Sequence, residues 1–213
     1  MAQEVGYFDV RLKPDVRRNA VWQEISVYLH EYFKKSGTVL ELGAGYCDFI
    51  NSVPGAKKFA MDLSEIVKDF AGQDVESIIG SATDLSLFPD NSVDVVIASN
   101  LCEHLSNDDF NSLLKEVSRV LVVGGRFILM QPNFYYAYRE YFDDYTHKKI
   151  FTHTGLCGQL QVSGFNIDKC ISRFVPFSMA SVRLPTPRFI IWCYLRSPWK
   201  PFAKQMLVIA EKK

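Results

Sequence analysis

The apolar run Val39-Leu40-Glu41-Leu42, which ends in Gly43-Ala44-Gly45, constrains the fold of this chain more than any other segment. Such a run with glycines at its end is typical of a buried parallel strand followed by a tight turn. Asp62 ends a second apolar run, 17 positions after Gly45. Nucleotide-binding α/β units present a carboxylate to ribose hydroxyls at about this spacing. The pattern predicts that the first half of the chain binds a nucleoside-bearing cofactor.

Acidic residues beside the glycines favour a cationic ligand over a diphosphate. Dinucleotide sites usually carry G-x-G-x-x-G and hold the diphosphate on bare backbone amides. Here Asp48 stands where the third glycine would be, and Glu41 lies two positions before Gly43. Opposite charges a few ångströms apart attract, and like charges repel, even at an effective dielectric of about 20. We therefore predict a ligand with a ribose and an ammonium or sulfonium, as in S-adenosylmethionine.

Five motifs in order resemble those of the class I (Rossmann-like) S-adenosylmethionine-dependent methyltransferases over nearly the whole chain. They are the glycine motif 41–47, Asp62, the loop 81–89, the strand and helix start 93–105, and the helix, glycine turn and strand 114–129. Cys47 replaces the last glycine of the family motif, which bears on the shape of the loop.

The resemblance implies S-adenosylmethionine as cofactor and S-adenosylhomocysteine as product. In it, Asp62 binds the ribose and Asp84 faces the adenine amine. The implied cofactor-binding residues are Glu41, Gly43, Ala44, Gly45, Asp62, Leu63, Thr83, Asp84, Leu85, Asn100 and Leu101.

The alternation of apolar strands and helical segments predicts an α/β fold. We expect a Rossmann-like, doubly wound, mostly parallel seven-stranded sheet with an antiparallel last strand and helices on both faces. The predicted strands are 38–42, 57–62, 76–80, 93–98, 126–131, 165–174 and 205–211. Helices are predicted over 13–35 and from near Cys47, Ser64 and Asn107. Ser106 offers N-cap chemistry to the last of these.

Length and composition fit one domain. A chain of 213 residues that is 48% hydrophobic buries a full single core. We predict one methyltransferase domain over 1–213. It comprises an N-terminal lid and helix (1–36), a cofactor-binding half (37–133) and a substrate-side half (134–213) with an insertion at about 175–204.

The aromatic and acidic segment 134–147 follows the fifth strand, where the core fold does not require it. Its end, together with Phe151-Thr152, resembles a D-x-T-H…F-T pattern in many small-molecule methyltransferases of this class. Core packing and site lining remain equal alternatives for its aromatic residues. The predicted substrate-binding residues are Tyr7, Asn133, Tyr141 and Tyr145.

Proton transfer from a hydroxyl acceptor calls for a base, and histidine suits this role because its reference pKa is about 6.5. His147 is the predicted base, with Asp144 as its orienting or replacement carboxylate. His104 is the second candidate, although its tripeptide Glu-His-Leu is mostly structural in the family. A purely structural role for His147 remains open, and a carboxylate acceptor would need no base.

The stretch 174–202 is longer than a turn between the last two strands requires. It contains the apolar and aromatic run 189–195, followed by Arg196, Trp199 and Lys200. Such a stretch suits a membrane interface or a lipid-like substrate. A helix packed on the sheet edge or against a second subunit is the alternative. Peripheral membrane contact through 189–200 stays open, and the sequence predicts no oligomeric state.

Balanced charge and scattered cysteines limit the partners of the chain. Lys+Arg and Asp+Glu are both 24, which argues against nucleic acid as a partner. No apolar run reaches the ~20 residues of a membrane span, and no signal peptide pattern is present. The five cysteines show no C-x-x-C spacing. We therefore predict no metal site, reduced cysteines and a cytoplasmic protein.

The function predicted from these features is methyl transfer from S-adenosylmethionine to a small-molecule, sugar or lipid-linked glycan acceptor, at oxygen. Ser99-Asn100-Leu101-Cys102 replaces the Asn-Pro-Pro-Tyr signature of amino-group methylation. The alternatives are a non-catalytic cofactor-binding partner protein, an N- or protein-directed methyltransferase, and an NAD-dependent oxidoreductase of similar fold.

Overall fold

A seven-stranded mixed sheet organises the chain. The computed structural model describes residues 16–55, 57–176 and 187–213. The strand order is β3-β2-β1-β4-β5-β7-β6, in which β1 to β5 are parallel and β7 runs antiparallel to both β5 and β6. The predicted fold class is confirmed, including the antiparallel last strand. The strands are β1 Thr38–Leu42, β2 Lys57–Asp62, β3 Val75–Ile79, β4 Val93–Ser99, β5 Leu121–Pro132, β6 Phe165–Pro176 and β7 Ala203–Lys212.

Helices lie on both faces of the sheet. They are α1 Val16–Tyr28, α2 Ile66–Phe70, α3 Asn107–Val120, α4 Phe134–Ala137, α5 His153–Val162 and α6 Arg188–Arg196. Short 3₁₀ turns occur in the described residues at His30–Tyr32, Ile50–Ser52, Cys102–His104 and Tyr141–Asp143. One apolar cluster contains α3 and α5 residues on one sheet face. A second cluster contains α1, α2 and α6 residues on the other.

The helix predicted from near Cys47 is wrong. The chain forms turns there and then a 3₁₀ turn at Ile50–Ser52. Cys47 takes a positive φ of 56°, which ends regular helical geometry at that residue. Its thiol is buried, so the side chain fills the space of the family glycine, as the sequence suggested.

The first helix is also shorter than predicted, because α1 ends at Tyr28 and a 3₁₀ turn continues the chain to Tyr32. The predicted start of α3 is confirmed in detail. The Ser106 side chain accepts a hydrogen bond from the Asp109 N–H, and the Asp109 carboxylate accepts one from the Ser106 N–H, which completes a capping box. Thr152 caps α5 through the Gly155 N–H. Both caps fix the ends of helices that border the ligand edge of the sheet.

The insertion between β6 and β7 contains α6. Ile191 and Leu195 of this helix are buried, and Arg188 pairs with the buried Glu24 of α1 at 2.7 Å. One face of α6 therefore packs on the domain, as the alternative interpretation held. Within the described parts of the chain, no helix has the length and apolar character to cross a membrane.

Candidate active site

The glycine turn after β1 forms the centre of the site. Gly43 has φ +68°, and its N–H and that of Ala44 both donate to the Met61 carbonyl, at 2.8 and 3.1 Å. A Cβ on Gly43 would lie 3.0 Å from a methyl carbon of Leu101. The turn therefore needs glycine both for its backbone conformation and for its close approach to the chain after β4. This geometry brings the first and fourth strand ends together.

Asp62, at the end of β2, fixes the same turn. One carboxylate oxygen accepts the Gly45 N–H at 2.8 Å, and the other accepts the Ser64 N–H at 2.9 Å. Each carboxylate oxygen offers two acceptor positions, so one on each oxygen remains for a hydroxyl donor. The position suits a ribose diol at the edge of the sheet. Asp62 also has a structural role that its sequence position did not reveal.

Glu41 and Asp48, from which a cationic ligand was predicted, both interact with other residues of the chain. Glu41 is buried, and its carboxyl accepts the Ile50 N–H at 3.0 Å. Burial is the main cause that raises the pKa of Glu41 to about 8, with the nearby Asp48 and Asp62 acting in the same direction. Asp48 pairs with Arg18 of α1 at 3.2 Å. Both acids are therefore engaged within the chain, and the prediction of S-adenosylmethionine depends on the motifs.

The loop after β3 is held by α3. Arg119 donates to the carbonyls of Leu85 and Phe88, both at 2.9 Å, while Glu116 accepts the Leu85 N–H at 2.9 Å. Glu116 and Arg119 also pair with each other at 2.8 Å. These bonds position Thr83 and Asp84 beside the ends of β2 and β3. Asp84 is exposed, and hydrogen bonds from the Ser86 side chain and then from the Ser86 N–H lower the pKa of its carboxyl group.

An exposed apolar side chain lies next to the ribose position. Leu63 directly follows Asp62 and is 77% exposed. An exposed apolar side chain beside a site for the ribose hydroxyls can cover one face of the adenine ring. The residues that would hold S-adenosylmethionine therefore fit it: acceptors for a ribose, apolar cover for an adenine, and a glycine turn for close approach. Asn100, with φ +50°, closes the same edge through its N–H bond to the Met130 carbonyl.

The two candidate histidines meet beyond the end of β4. The rings of His104 and His147 are 4.9 Å apart in an edge-to-face arrangement. His104 Nδ1 lies 2.9 Å from Thr146 Oγ1, and the Thr146 hydroxyl donates to Asp144 at 2.6 Å. Burial, followed by His147, lowers the pKa of His104. The structure thus brings together all three predicted catalytic residues, His104, Asp144 and His147.

Glu103 joins this cluster, and the sequence analysis did not single it out. It is 1% exposed, and neither carboxylate oxygen has a hydrogen-bond partner among the residues that the structure describes. Burial raises its pKa to about 8. One ligand atom from each of Glu103, His104 and His147 lies within 4.8 Å of the others. The only sequence signal was the position of Glu103 and His104 directly after a strand that ends at the ligand edge.

Two of the four predicted substrate residues are structural. Tyr141 is fully buried and donates its hydroxyl to the Lys149 carbonyl, and Asn133 is fully buried and donates to the Ser172 carbonyl at 2.9 Å. Neither side chain reaches the surface, so both stabilise the fold, and their contact with an acceptor stays a prediction. Tyr145 is 79% exposed and is open to a ligand. Tyr7 lies outside the described residues.

Comparison with known proteins agrees with this geometry. Residues 40–129 match the model of a family described as a methyltransferase domain. A methyltransferase from Archaeoglobus fulgidus has a similar structure, with TM-score 0.66, 20% identity, and coverage of 90% of this chain and 94% of that one. Geranyl diphosphate methyltransferase in complex with S-adenosylmethionine gives TM-score 0.67 at 15% identity, covering 91% and 85%. A methyltransferase from Mesorhizobium loti gives 0.63 at 15%, covering 87% and 96%. No curated protein matches the chain.

Residues 40–129 therefore match a methyltransferase-domain family, and the chain has the class I (Rossmann-like) fold of the S-adenosylmethionine-dependent methyltransferases. This confirms the resemblance drawn from the five motifs. Identities of 15–20% show the fold that these proteins share and leave the acceptor to the residues of this chain.

Proposed function

We propose that the protein binds S-adenosylmethionine and transfers its methyl group to an oxygen of a small-molecule, sugar or lipid-linked glycan acceptor. The observation that carries the proposal is the Asp62 carboxylate, which is bonded to the glycine turn and still has acceptor positions beside exposed Leu63. Bound S-adenosylmethionine supplies a methyl group already activated on a sulfonium. The remaining task of the chain is to align the acceptor and handle its proton.

Each half of the site has a separate part in this reaction. Gly43, Asp62 and the loop carrying Asp84 bind and orient the donor. His104 follows Leu101, which contacts Gly43, by three residues, and the cluster of His104, Asp144 and His147 receives the acceptor. In the simplest form of the proposal, His147 takes the proton of the acceptor hydroxyl. The Tyr141 carbonyl accepts from His147 Nδ1, which places the basic lone pair on Nε2.

The surface around α6 supports a lipid-linked acceptor within this class. Phe189, Ile190, Trp192 and Trp199 are exposed, and Arg196 lies over the Trp192 ring at 4.5 Å. Aromatic and cationic side chains on one surface suit the headgroup region of a bilayer. Vesicle sedimentation with anionic and neutral lipids tests this part of the proposal, with Phe189→Ser plus Trp199→Ser as the variant. Equal sedimentation of wild type and variant would remove the argument for a lipid-linked acceptor.

Cofactor binding is the first test of the proposed function. Calorimetry with S-adenosylhomocysteine should give a dissociation constant of roughly micromolar order, worth about 8 kcal/mol. NAD serves as the control ligand and should give no heat. Folded protein that binds neither compound, or binds NAD alone, would refute the proposal.

The acceptor is then sought with a labelled methyl group. Purified protein is incubated with S-adenosylmethionine carrying a trideuterated methyl, together with either the aqueous or the lipid fraction of a cell extract. Mass spectrometry should find compounds that gain one labelled methyl. His147→Asn should reduce this labelling about a hundred-fold or more while leaving cofactor affinity within a few-fold. Cofactor binding without label transfer in either fraction would favour a non-catalytic partner protein.

A further inference from the structure

Glu103, His104 and His147 form a compact group of potential metal ligands. They come from two segments: the 3₁₀ turn Cys102–His104 after β4, and the stretch that follows the turn Tyr141–Asp143. One ligand atom from each residue lies within 4.8 Å of the others. Zinc bonds to nitrogen and oxygen are about 2.0–2.2 Å long, so ligand atoms at tetrahedral angles on one ion lie about 3.4 Å apart. Binding one ion therefore requires side-chain rotations that shorten these separations by up to about 1.4 Å.

Glu103 supplies independent evidence for a ligand in this place. Its side chain is almost completely buried, and both carboxylate oxygens are unpartnered among the residues that the structure describes. Leaving a buried carboxyl group without partners costs free energy. A bound cation would satisfy both of its oxygens. The main chain of Glu103 is well held, because its carbonyl accepts the N–H groups of Lys148 and Lys149 at 2.8 and 3.1 Å.

The hydrogen bonds of the two histidines set the tautomer that metal binding requires. The Tyr141 carbonyl has no proton to give, so His147 Nδ1 donates to it. The Thr146 hydroxyl donates to Asp144, so His104 Nδ1 donates to the Thr146 oxygen. Each ring therefore carries its proton on Nδ1 and its lone pair on Nε2. Metal-binding histidines are held in this way by carbonyls and carboxylates around the site.

We propose that Glu103, His104 and His147 bind a divalent first-row transition-metal cation of the zinc type, and that this cation binds the acceptor oxygen. Two imidazoles and one carboxylate favour such a cation over Mg²⁺, which prefers oxygen ligands. Three protein ligands leave a coordination position open, as in catalytic zinc sites. The role in methyl transfer depends on the proposed function, whereas cation binding by these residues does not.

The cation changes how the acceptor loses its proton. A hydroxyl bound to a divalent cation ionises at much lower pH than in water. Its proton passes to solvent water, and the resulting oxygen attacks the methyl carbon. One carbon–oxygen bond forms as the carbon–sulfur bond breaks, and S-adenosylhomocysteine leaves as a neutral thioether. In this form of the reaction the histidines act as ligands, and neither has to serve as the base.

Cobalt titration of the full chain tests cation binding without any acceptor. The protein is first treated with a chelator and then titrated with Co²⁺ while visible absorption is recorded, followed by competition with Zn²⁺ and Mg²⁺. We expect one equivalent per chain, displacement by Zn²⁺, and no displacement by Mg²⁺ at a hundred-fold excess. Glu103→Gln and His147→Asn should each weaken Co²⁺ binding about a hundred-fold or more. His30→Gln alters an exposed histidine outside the cluster and should bind as wild type does.

Thermal unfolding and S-adenosylhomocysteine binding check that each variant is folded. Glu103→Gln keeps the shape of the side chain and removes its charge, so it is the variant that separates ligation from folding. Wild-type protein that binds S-adenosylhomocysteine but shows no saturable Co²⁺ or Zn²⁺ binding would overturn the inference. Stoichiometric binding that survives both Glu103→Gln and His147→Asn would also overturn it. Cation binding with the expected variant effects, in protein that binds no S-adenosylhomocysteine, would support the inference and refute the proposed function.

Discussion

Replacing Asp62 by alanine should damage both the fold and the cofactor site. The side chain makes two charge-assisted bonds to backbone, to the Gly45 and Ser64 N–H groups. Bonds to charged groups contribute about 1.5–3 kcal/mol each. Asp62 is half-buried, so water replaces part of what is lost. We expect Asp62→Ala to lower the free energy of unfolding by about 2–4 kcal/mol.

The same substitution removes two acceptors for the ribose, which predicts a loss in cofactor affinity of about a hundred-fold or more. Urea unfolding with and without S-adenosylhomocysteine measures both effects. A ligand at a thousand times its dissociation constant stabilises a protein by about 4.1 kcal/mol. A hundred-fold weaker site would leave only about 1.4 kcal/mol at the same ligand concentration.

Asp168→Ala is the matched control for Asp62→Ala. Asp168 forms an exposed ion pair with Arg126 at 3.2 Å on the far side of the sheet from the glycine turn. Its loss should cost at most about 1 kcal/mol and leave the ligand effect unchanged. If Asp62→Ala keeps the full ligand-induced stabilisation, Asp62 does not bind the ribose. If it loses ligand binding at an unchanged free energy of unfolding, the energetic reasoning about the turn is wrong.

Substitutions at three further residues test other parts of the structure. Burial raises the pKa of Glu41 from 4.5 to about 8, so its contribution to stability is fully present below pH 4.5 and is lost as pH rises to 8. Glu41→Gln should therefore reduce the pH dependence of the free energy of unfolding, measured in urea, by up to about 1.4 kcal/mol per pH unit in that window. Identical pH profiles for the two proteins would contradict this. Arg119→Ala removes the hydrogen bonds to the Leu85 and Phe88 carbonyls that hold the loop, although Arg119 does not line the site. It should weaken S-adenosylhomocysteine binding about ten-fold in calorimetry. An effect below two-fold would show that the loop keeps its position without Arg119. In urea unfolding, Tyr141→Ala should destabilise the protein by about 3–5 kcal/mol, because the ring is buried. Tyr141→Phe should cost about 1–2 kcal/mol, because it removes only the hydrogen bond from the hydroxyl to the Lys149 carbonyl. Nearly neutral values for both variants would favour a substrate-contact role for Tyr141.

The sheet was predictable because parallel strands are buried on both faces. The predicted bounds of β1 and β2 are those observed, β3 is shifted by one residue at both ends, and β4 extends one residue further. The glycine turn and Asp62 were also found, because a close approach at a strand end requires particular residue types. The same kind of local signal identified the cap Ser106.

Features that depend on contacts between distant segments were not predictable. The ion pair of Asp48 with Arg18 joins the glycine turn to α1, and no local pattern announces it. The burial of Tyr141 depends on rings packed around it by folding, whereas its spacing along the chain suited a pocket equally well. Glu103 and His147 are far apart in sequence, and cysteine spacing, on which the prediction of no metal site depended, carries no information about them. Their proximity appears only in three dimensions.

The short span from Leu101 to Glu103 connects the donor and acceptor sides of the site. Leu101 packs on Gly43, and the Glu103 carbonyl holds the amides of Lys148 and Lys149. An in-line displacement tolerates little error, since a misplacement of about 1 Å can cost about a hundred-fold in rate. In the proposed reaction, this span therefore sets the distance between the methyl carbon and the acceptor oxygen. Substitutions at exposed Tyr145 and around α6 leave the span from Leu101 to Glu103 unchanged, so they are the best way to accommodate new acceptors.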